Sequence, residues 1–419
     1  MSLLASDPQV VLDREFPYES RYLTLFVKFS VLLQHPNFFC FFNEEQLFDP
    51  NYLGFGGYRP GTEDVSPERR ASYLPRENAG SWARAMWEKF NADIAQRQPQ
   101  ARFYAEKAPL WLAPHVRQLF PCLTLYNVRD PRDIFISANA FMKKRQTLSF
   151  ARAAGDTDRD HARRLALAFA NCFANYDADR SRSDVLLVTY EELVQARAAV
   201  VERIRVLTGL SLTAALREVD SPEVEAHATA PDRQASVARW RSEPISEDVV
   251  RFLEQTLNEE MTALGYPLSL STRDSAFPRI GFGRENQGIL GPFGNLSRYG
   301  YLESKPEHAI AHVRGHDFHI NVPLQPFSAH EVKEIWACVQ GDIGNHCSLY
   351  WRQRDTRFSE QACIHVPHAP SPVWLIVPFR VAQHPEWKGE ITKLRLDLFN
   401  NCTQPHRGIG RIRWVQLVS

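Results

Sequence analysis

The feature that most limits how this 419-residue chain can fold is a change of hydrophobic period near residue 270. Upstream, apolar residues recur at helical spacing. Leu165, Phe169, Cys172, Phe173 and Tyr176 fall at i, i+4, i+7, i+8 and i+11, one face of an amphipathic helix. Val200, Val201, Ile204 and Leu207 repeat the pattern, as do Leu253, Leu257, Met261 and Leu264. Short apolar, β-branched runs at 122–128 and 185–189 stand between helices and are bounded by polar turns. Helices alternating with short buried strands predict an α/β domain built on a parallel sheet. Downstream, the segments 309–313, 334–339, 348–352, 373–379, 391–398 and 409–417 are short and alternating, punctuated by Pro, Gly and Asn. That spacing predicts an all-β sandwich. Residues 1–267 therefore read as the α/β domain, 268–280 as a linker with little to bury, and 281–419 as the sandwich.

Composition narrows the function classes. With 44% hydrophobic and 23% charged residues, the chain is neither collagen-like nor disordered. Basic and acidic residues number 49 each, so nothing draws the whole chain to nucleic acid, and only a local anion site is expected. No apolar run approaches the roughly 18 residues of a membrane span, and the residues after Met1 resemble neither a signal nor a transit peptide. The seven cysteines include no CxxC pair and sit mostly inside apolar runs, as buried thiols of a reducing compartment do. The expectation is a soluble, cytoplasmic protein without a membrane partner.

The most informative stretch is 122–144, CLTLYNVRDPRDIFISANAFMKK. An apolar strand ends at Val128, and Asp130 can cap a helix that has Pro131 in its first turn. Arg129 then stands at the carboxyl end of a strand beside a helix N-terminus. Backbone N–H groups, the helix dipole and a guanidinium converge there, as a phosphate requires. Ser137 lies about two turns into the helix and can offer a hydroxyl to the same phosphate. Taken alone, the RDPRD turn fits a salt-bridged surface loop equally well. Its neighbours are YAEKAP at 104–109, VLLVTYEEL at 185–193 and ASVARW at 235–240.

Together and in this order, the four motifs resemble the sulfotransferase family over roughly residues 1–267, and most closely its tyrosylprotein and glycan branch. The resemblance implies a P-loop-type, three-layer α/β fold. It also implies transfer of a sulfuryl group from 3′-phosphoadenosine 5′-phosphosulfate (PAPS) to an acceptor, leaving 3′-phosphoadenosine 5′-phosphate, with no metal. On this reading Arg129 and Ser137 hold the 3′-phosphate and Tyr190 contacts adenine. Ser236, Arg239 and Trp240 belong to a loop that closes over the nucleotide, and Lys107 is the cation near the transferred group. Sulfuryl transfer, like phosphoryl transfer, gains most from positioning and positive charge.

The family's opening loop, of P-R-S-G-T/S-T type, has no counterpart in these 419 residues, and GFGG at 54–57 lacks the Lys and Ser/Thr of a phosphate loop. Residues 2–19 resemble the helix and second strand that follow that loop. The expectation is therefore a chain that starts just past it and, as given, transfers no measurable sulfate. The acceptor needs a base, and the resemblance implies Glu15, in LDREFPYE at 12–19, beside the apolar Phe16 and Tyr18. Glu19 competes for that role, and a salt bridge to Arg14 or Arg21 is the structural alternative. The polar, Pro/Gly-rich segment 52–70 suits a substrate-covering loop or a plain solvent loop.

In the C-terminal part, His308, His312, His316 and His319 cluster, with His365 and His368 further on. Either a metal site or a solvated strand face fits them. Trp336, Trp351, Trp374, Trp387 and Trp414 suit a sandwich core or a sugar-stacking face. Residues 385–397 and 409–417 are similar to jelly-roll domains of carbohydrate-active proteins. The acceptor is thus expected to be a hydroxyl compound, with a saccharide slightly favoured over a peptide or small molecule. The competing expectation is a non-catalytic nucleotide- or glycan-binding protein.

Overall fold

The computed structural model describes residues 2–12, 22–33, 76–108, 113–212, 228–269, 279–282, 299–315, 318–341, 346–367, 371–400 and 408–419. Glu15, Glu19, the segment 52–70, His316 and His368 lie outside the described residues. The chain divides into two compact units, Met1–Ala154 with Asn175–Ile245, and Gly155–Ala174 with Ser246–Ser419. The helix Asp158–Asp179 contributes to both. Among the described residues, no helix is long and apolar enough to cross a membrane. The cysteines described, Cys122, Cys172, Cys338, Cys347 and Cys363, are free thiols.

In the first unit the strands are short and parallel. Val10–Val11 pairs with Phe103–Tyr104, and Thr124–Val128 pairs with Val185–Thr189. The second pair joins the two apolar runs read from the sequence, the first of them beginning two residues later than its apolar stretch. Val10, Leu12, Val188 and Leu212 share a core with Val200, Val201 and Ile204 of the helix Arg197–Thr208. Val200, Val201 and Ile204 are the face expected from the helical spacing. A separate aromatic cluster gathers around the 22-residue helix Arg76–Arg97, where the rings of Trp87 and Phe90 stack at 5.6 Å and Phe90 meets Tyr104 edge-on at 5.1 Å.

Two carboxylates tie this unit's turns together. Asp7, 2% exposed, accepts from the backbone N–H groups of Gln9, Ser211 and Leu212 and from the Ser211 hydroxyl. Burial pushes its carboxyl up, but those hydrogen bonds outweigh burial and hold it below its ordinary value. Glu106 accepts from the N–H of Leu23 (3.0 Å), the N–H and hydroxyl of Thr24, and the Tyr104 hydroxyl (2.8 Å). It thereby satisfies donors at the start of the helix Tyr22–Leu33. Burial raises the Glu106 carboxyl above its ordinary range, against the pull of these donors.

The second unit is built on two antiparallel sheets. One runs Ser371–Phe379, Glu334–Gly341, Gly408–Val418, Ala309–Val313, Gly300–Ser304, with Ile280–Gly281 also on Gly408–Val418. The other runs Cys363–Pro367, His346–Gln353, Glu390–Asn400, Ile320–Val322, with Phe327–Ser328 also on Glu390–Asn400. Each alternating segment named from the sequence lies within one of these strands. Inward side chains of both sheets, among them Ile335, Ala337, Val339, Leu349, Trp351 and Leu396, form one continuous core. Gly341 and Gly410 are cross-strand partners, and their missing side chains form a slot for the Phe399 ring from the other sheet. A Cβ at Gly410 would meet that ring at 2.1 Å.

The five tryptophans named above are each 8% exposed or less. They are core, and none of their rings offers the open face that sugar stacking needs. His312 stacks on Tyr301 at 4.3 Å and lies 3.1 Å from a Glu303 oxygen, while His308 meets Trp374 edge-on. The helix expected over 253–264 is two helices, Glu247–Thr256 and Asn258–Ala263, broken at Leu257 (φ −109°, ψ 21°). The break still leaves Leu253, Leu257 and Met261 fully buried.

The ends of the 268–280 segment are anchored within this unit. Ser269 donates to Glu254, and Arg279 pairs with Glu260 (2.8 Å), donates to Gln416 and lies over the Trp414 ring.

Candidate functional site

The site grows from the strand Thr124–Val128 and the helix Pro131–Arg145 that follows it. The helix starts where the sequence says it must. Asp130 is the N-cap, its side chain accepts from the Arg132 N–H, and Pro131 fills the first position, where no N–H is needed. Lys143, Lys144 and Arg145 occupy the last turn, complementing the dipole. Asp130 and Arg132, both buried, form a bidentate pair, and the Arg132 guanidinium lies 3.7 Å over the Trp240 ring. The salt-bridged reading of RDPRD is thus true of Asp130 and Arg132, but not of Arg129.

Arg129 points elsewhere. Its guanidinium lies 4.5 Å over the Tyr190 ring and donates to the Ser236 carbonyl at 2.6 Å. Its Nε is buried without a hydrogen-bond partner among the described residues. The cation is therefore hydrogen-bonded to a neutral carbonyl and rests on an aromatic face, with the Asp133 carboxylate close enough to attract it.

Tyr190 begins a short helix, Tyr190–Gln195, set by a capping box between Thr189 and Glu192. The Tyr190 hydroxyl lies 2.7 Å from Ser236 Oγ. Ser236 Oγ in turn donates to the Arg233 carbonyl, so Tyr190 is the donor of the pair. Three of the residues named from separate motifs thus lock one another in place.

Ser137 Oγ is 3.0 Å from Thr229 Oγ1, which accepts from Arg239 at 3.0 Å. Arg239 is 4% exposed and fully engaged, with a bidentate pair to Glu243 and a further bond to the Thr229 carbonyl. It positions Thr229 and has little left for a ligand. Lys107 is half-buried, three residues past the strand Phe103–Tyr104. Glu15 falls outside the described residues.

Three contributors were missed by sequence reasoning. Asp133 accepts from the backbone N–H groups of Ala238 (2.7 Å) and Trp240 (3.0 Å), fastening the 236–240 loop to the helix. Ala238 adopts φ 56°, a left-handed conformation costing about 1 kcal/mol that aims both donors at one carboxylate. Burial raises the Asp133 carboxyl, and the Trp240 N–H opposes it. Glu191 accepts from the Asp130 N–H at 3.0 Å. Asp133 and Glu191 were in view, as the last Asp of RDPRD and the first Glu of YEEL. Thr229 carried no local signal at all.

Residues 29–214 match the sulfotransferase family model, so the chain contains a sulfotransferase-family domain. The match spans Lys107, Arg129, Ser137 and Tyr190 and leaves out Glu15 and the 236–240 loop. No curated protein matches the chain. Among solved structures, the chain is similar to the sulfotransferase domain of the Synechococcus PCC 7002 olefin synthase, at 17% identity over 64% of this chain and 89% of that one, TM-score 0.35. It is also similar to the sulfotransferase domain from the curacin biosynthetic pathway, at 10% identity over 47% of this chain and 76% of that one, TM-score 0.32. A xylan-binding module, CBM86 from Roseburia intestinalis, is similar at 10% identity over 28% of this chain and 82% of that one, TM-score 0.22. Likenesses this distant assign neither a substrate nor a site.

Proposed function

We propose that the first unit is the nucleotide-binding part of a PAPS-dependent sulfotransferase of the tyrosylprotein and glycan kind, acting on a hydroxyl of a saccharide, peptide or small molecule in the cytoplasm. The observation that carries this reading is the convergence of Arg129, Tyr190 and Ser236 around a guanidinium whose Nε has no partner. Arg129 and Ser137 hold the 3′-phosphate. Thr229, which accepts from Arg239, can donate to Ser137, leaving the Ser137 proton for a phosphate oxygen.

The Tyr190 ring lies against adenine, and the loop carrying Ser236, Arg239 and Trp240 lies over the nucleotide, fastened by Asp133. When bound, PAPS supplies an activated sulfuryl group. Lys107 neutralises charge growing on the leaving oxygen, and Glu15 takes the acceptor proton. No metal is needed at this site, and the parallel strand pairs belong to a three-layer P-loop-type sheet. Residues 281–419 are a jelly-roll-like sandwich.

The test is calorimetric. The protein should bind 3′-phosphoadenosine 5′-phosphate more tightly than 5′-AMP, which lacks the 3′-phosphate. Arg129→Ala should remove the difference, worth about 1.5–3 kcal/mol for a charge-assisted contact. Equal affinities of the unmodified protein for both nucleotides would sink the assignment. The competing reading, a non-catalytic nucleotide-binding protein, is favoured if the chain extended upstream by a strand and an R-S-G-T-like loop binds tightly yet transfers no sulfate.

A further inference from the structure

We propose that Glu360, Cys363 and His365, at one edge of the five-stranded sheet, form a zinc-type metal site whose fourth position is open to water. Cys363 and His365 are two apart on the edge strand Cys363–Pro367 and so share a face, while Glu360 stands in the turn just before it. The three ligand atoms lie within 4.8 Å of one another. Cys363 Sγ is 3.6 Å from His365 Nε2, and that nitrogen is 3.6 Å from Glu360 Oε2. Zinc bonds of about 2.3 Å to sulfur and about 2.0 Å to nitrogen, at the tetrahedral angle, separate S and N by roughly 3.6 Å. The thiol and imidazole already stand at that separation, and a Glu360 oxygen lies 3.6 Å from the same imidazole nitrogen.

The neighbouring strand, His346–Gln353, orients the ligands. Ser348 lies opposite His365 and Tyr350 opposite Cys363 in the ladder. Ser348 Oγ is 2.7 Å from His365 Nδ1. Accepting the Nδ1 proton there leaves the Nε2 lone pair directed at the thiol side. The Tyr350 hydroxyl donates to Glu360 Oε1 at 2.9 Å, which leaves Oε2 for the cation. These are the outer hydrogen bonds that fix ligands in protein metal sites.

Access is open as well. Cys363 is 6% exposed, but the His365 and Glu360 side chains are 53% and 77% exposed. A set of one thiolate, one imidazole and one carboxylate is too soft for Mg²⁺ or Ca²⁺ and suits Zn²⁺. On binding, the thiol proton leaves to solvent and the thiolate bonds the metal.

Cobalt(II) is the probe. The full-length protein, stripped with a chelator, should take up one equivalent. A thiolate-to-cobalt charge-transfer band should appear in the near ultraviolet, with the intense visible bands of tetrahedral cobalt, and zinc should displace both. Cys363→Ser should abolish the near-ultraviolet band. Ser348→Ala and the solvent-side Glu360→Gln should each weaken cobalt binding by about 10–100-fold while leaving the circular dichroism unchanged. Absence of the thiolate band in the unmodified protein, or its persistence in Cys363→Ser, would overturn the site. Should Cys363→Ser fail to fold, unchanged cobalt affinity in both Glu360→Gln and Ser348→Ala would overturn it equally.

Discussion

The two units hold themselves together by different means. The second is stitched by antiparallel strands of eight to eleven residues, such as Glu334–Gly341, His346–Gln353, Glu390–Asn400 and Gly408–Val418, whose inward side chains share one large apolar core. The first pairs strands of two to five residues and divides its apolar side chains between smaller clusters. Its turns are fixed instead by carboxylates that gather backbone donors, namely Asp7, Glu106, Asp130 and Asp133. A fold pinned by polar groups can hold a guanidinium half-buried and short of partners, because satisfied neighbours set its position. Arg129, whose half-buried guanidinium has an unpartnered Nε, belongs to the unit with the smaller clusters.

That contrast can be broken by mutation. The largest expected effect lies in the second unit. Arg279→Ala leaves Glu260, 1% exposed, without its cation. The expected loss of stability is about 3–5 kcal/mol by chemical denaturation, with nucleotide affinity unchanged. A loss below about 1 kcal/mol would show that the pair contributes as little as a surface one.

Next comes Gly410→Ala, which places a methyl group against Phe399. Overpacking should cost about 1–3 kcal/mol. Pairing it with Phe399→Leu, which shortens the obstructing side chain, should recover part of that loss; failure to recover any would mean the slot is not what positions Phe399.

In the first unit the ordering reverses. Asp133→Asn removes one of two acceptors for the 236–240 loop and should weaken binding of 3′-phosphoadenosine 5′-phosphate by about tenfold, or ~1.4 kcal/mol, with a smaller effect on the melting temperature. A large fall in melting temperature with affinity intact would erase the distinction between the units.

The smallest effect is a pH slope. Because the folded Asp7 carboxyl is held below its ordinary value of 3.8, its contribution is present above that pH and drains away as pH falls through the lower folded value. Asp7→Asn should flatten the stability curve below about pH 4 and cost about 1 kcal/mol at neutral pH. An unchanged acid slope would remove Asp7 from the polar framework.

Local rules carried far in this chain. Period alone located the strands Val185–Thr189 and Ala309–Val313 and the helix Arg197–Thr208, because each buries one face whose spacing is dictated by its own backbone geometry. The N-cap at Asp130 and the position of Arg129 at a strand end were legible for the same reason. Contacts between distant segments were not. Period cannot see a break such as Leu257, where the apolar stripe continues through a change of helix axis. Nor does it see that Arg279, within a stretch poor in core residues, is bound into a buried ion pair 19 residues away in sequence.

The His-rich run at 308–319 fits a metal site or a solvated strand face by sequence, and in the fold His312 is taken up by Glu303 and Tyr301. The residues whose ligand atoms do converge, Glu360, Cys363 and His365, have no familiar spacing, and their supporting Ser348 and Tyr350 come from a neighbouring strand. By itself the sequence determined the alternation of helix and strand, the helix start behind Arg129 and the order of the four motifs, since these depend on residues within one or two turns of each other. Only the tertiary structure decided that Arg129 rests on Tyr190 and Ser236, that Thr229 links Ser137 to Arg239, and that the tryptophans are core. Those outcomes depend on contacts between segments as far as 107 residues apart, which local propensity does not encode.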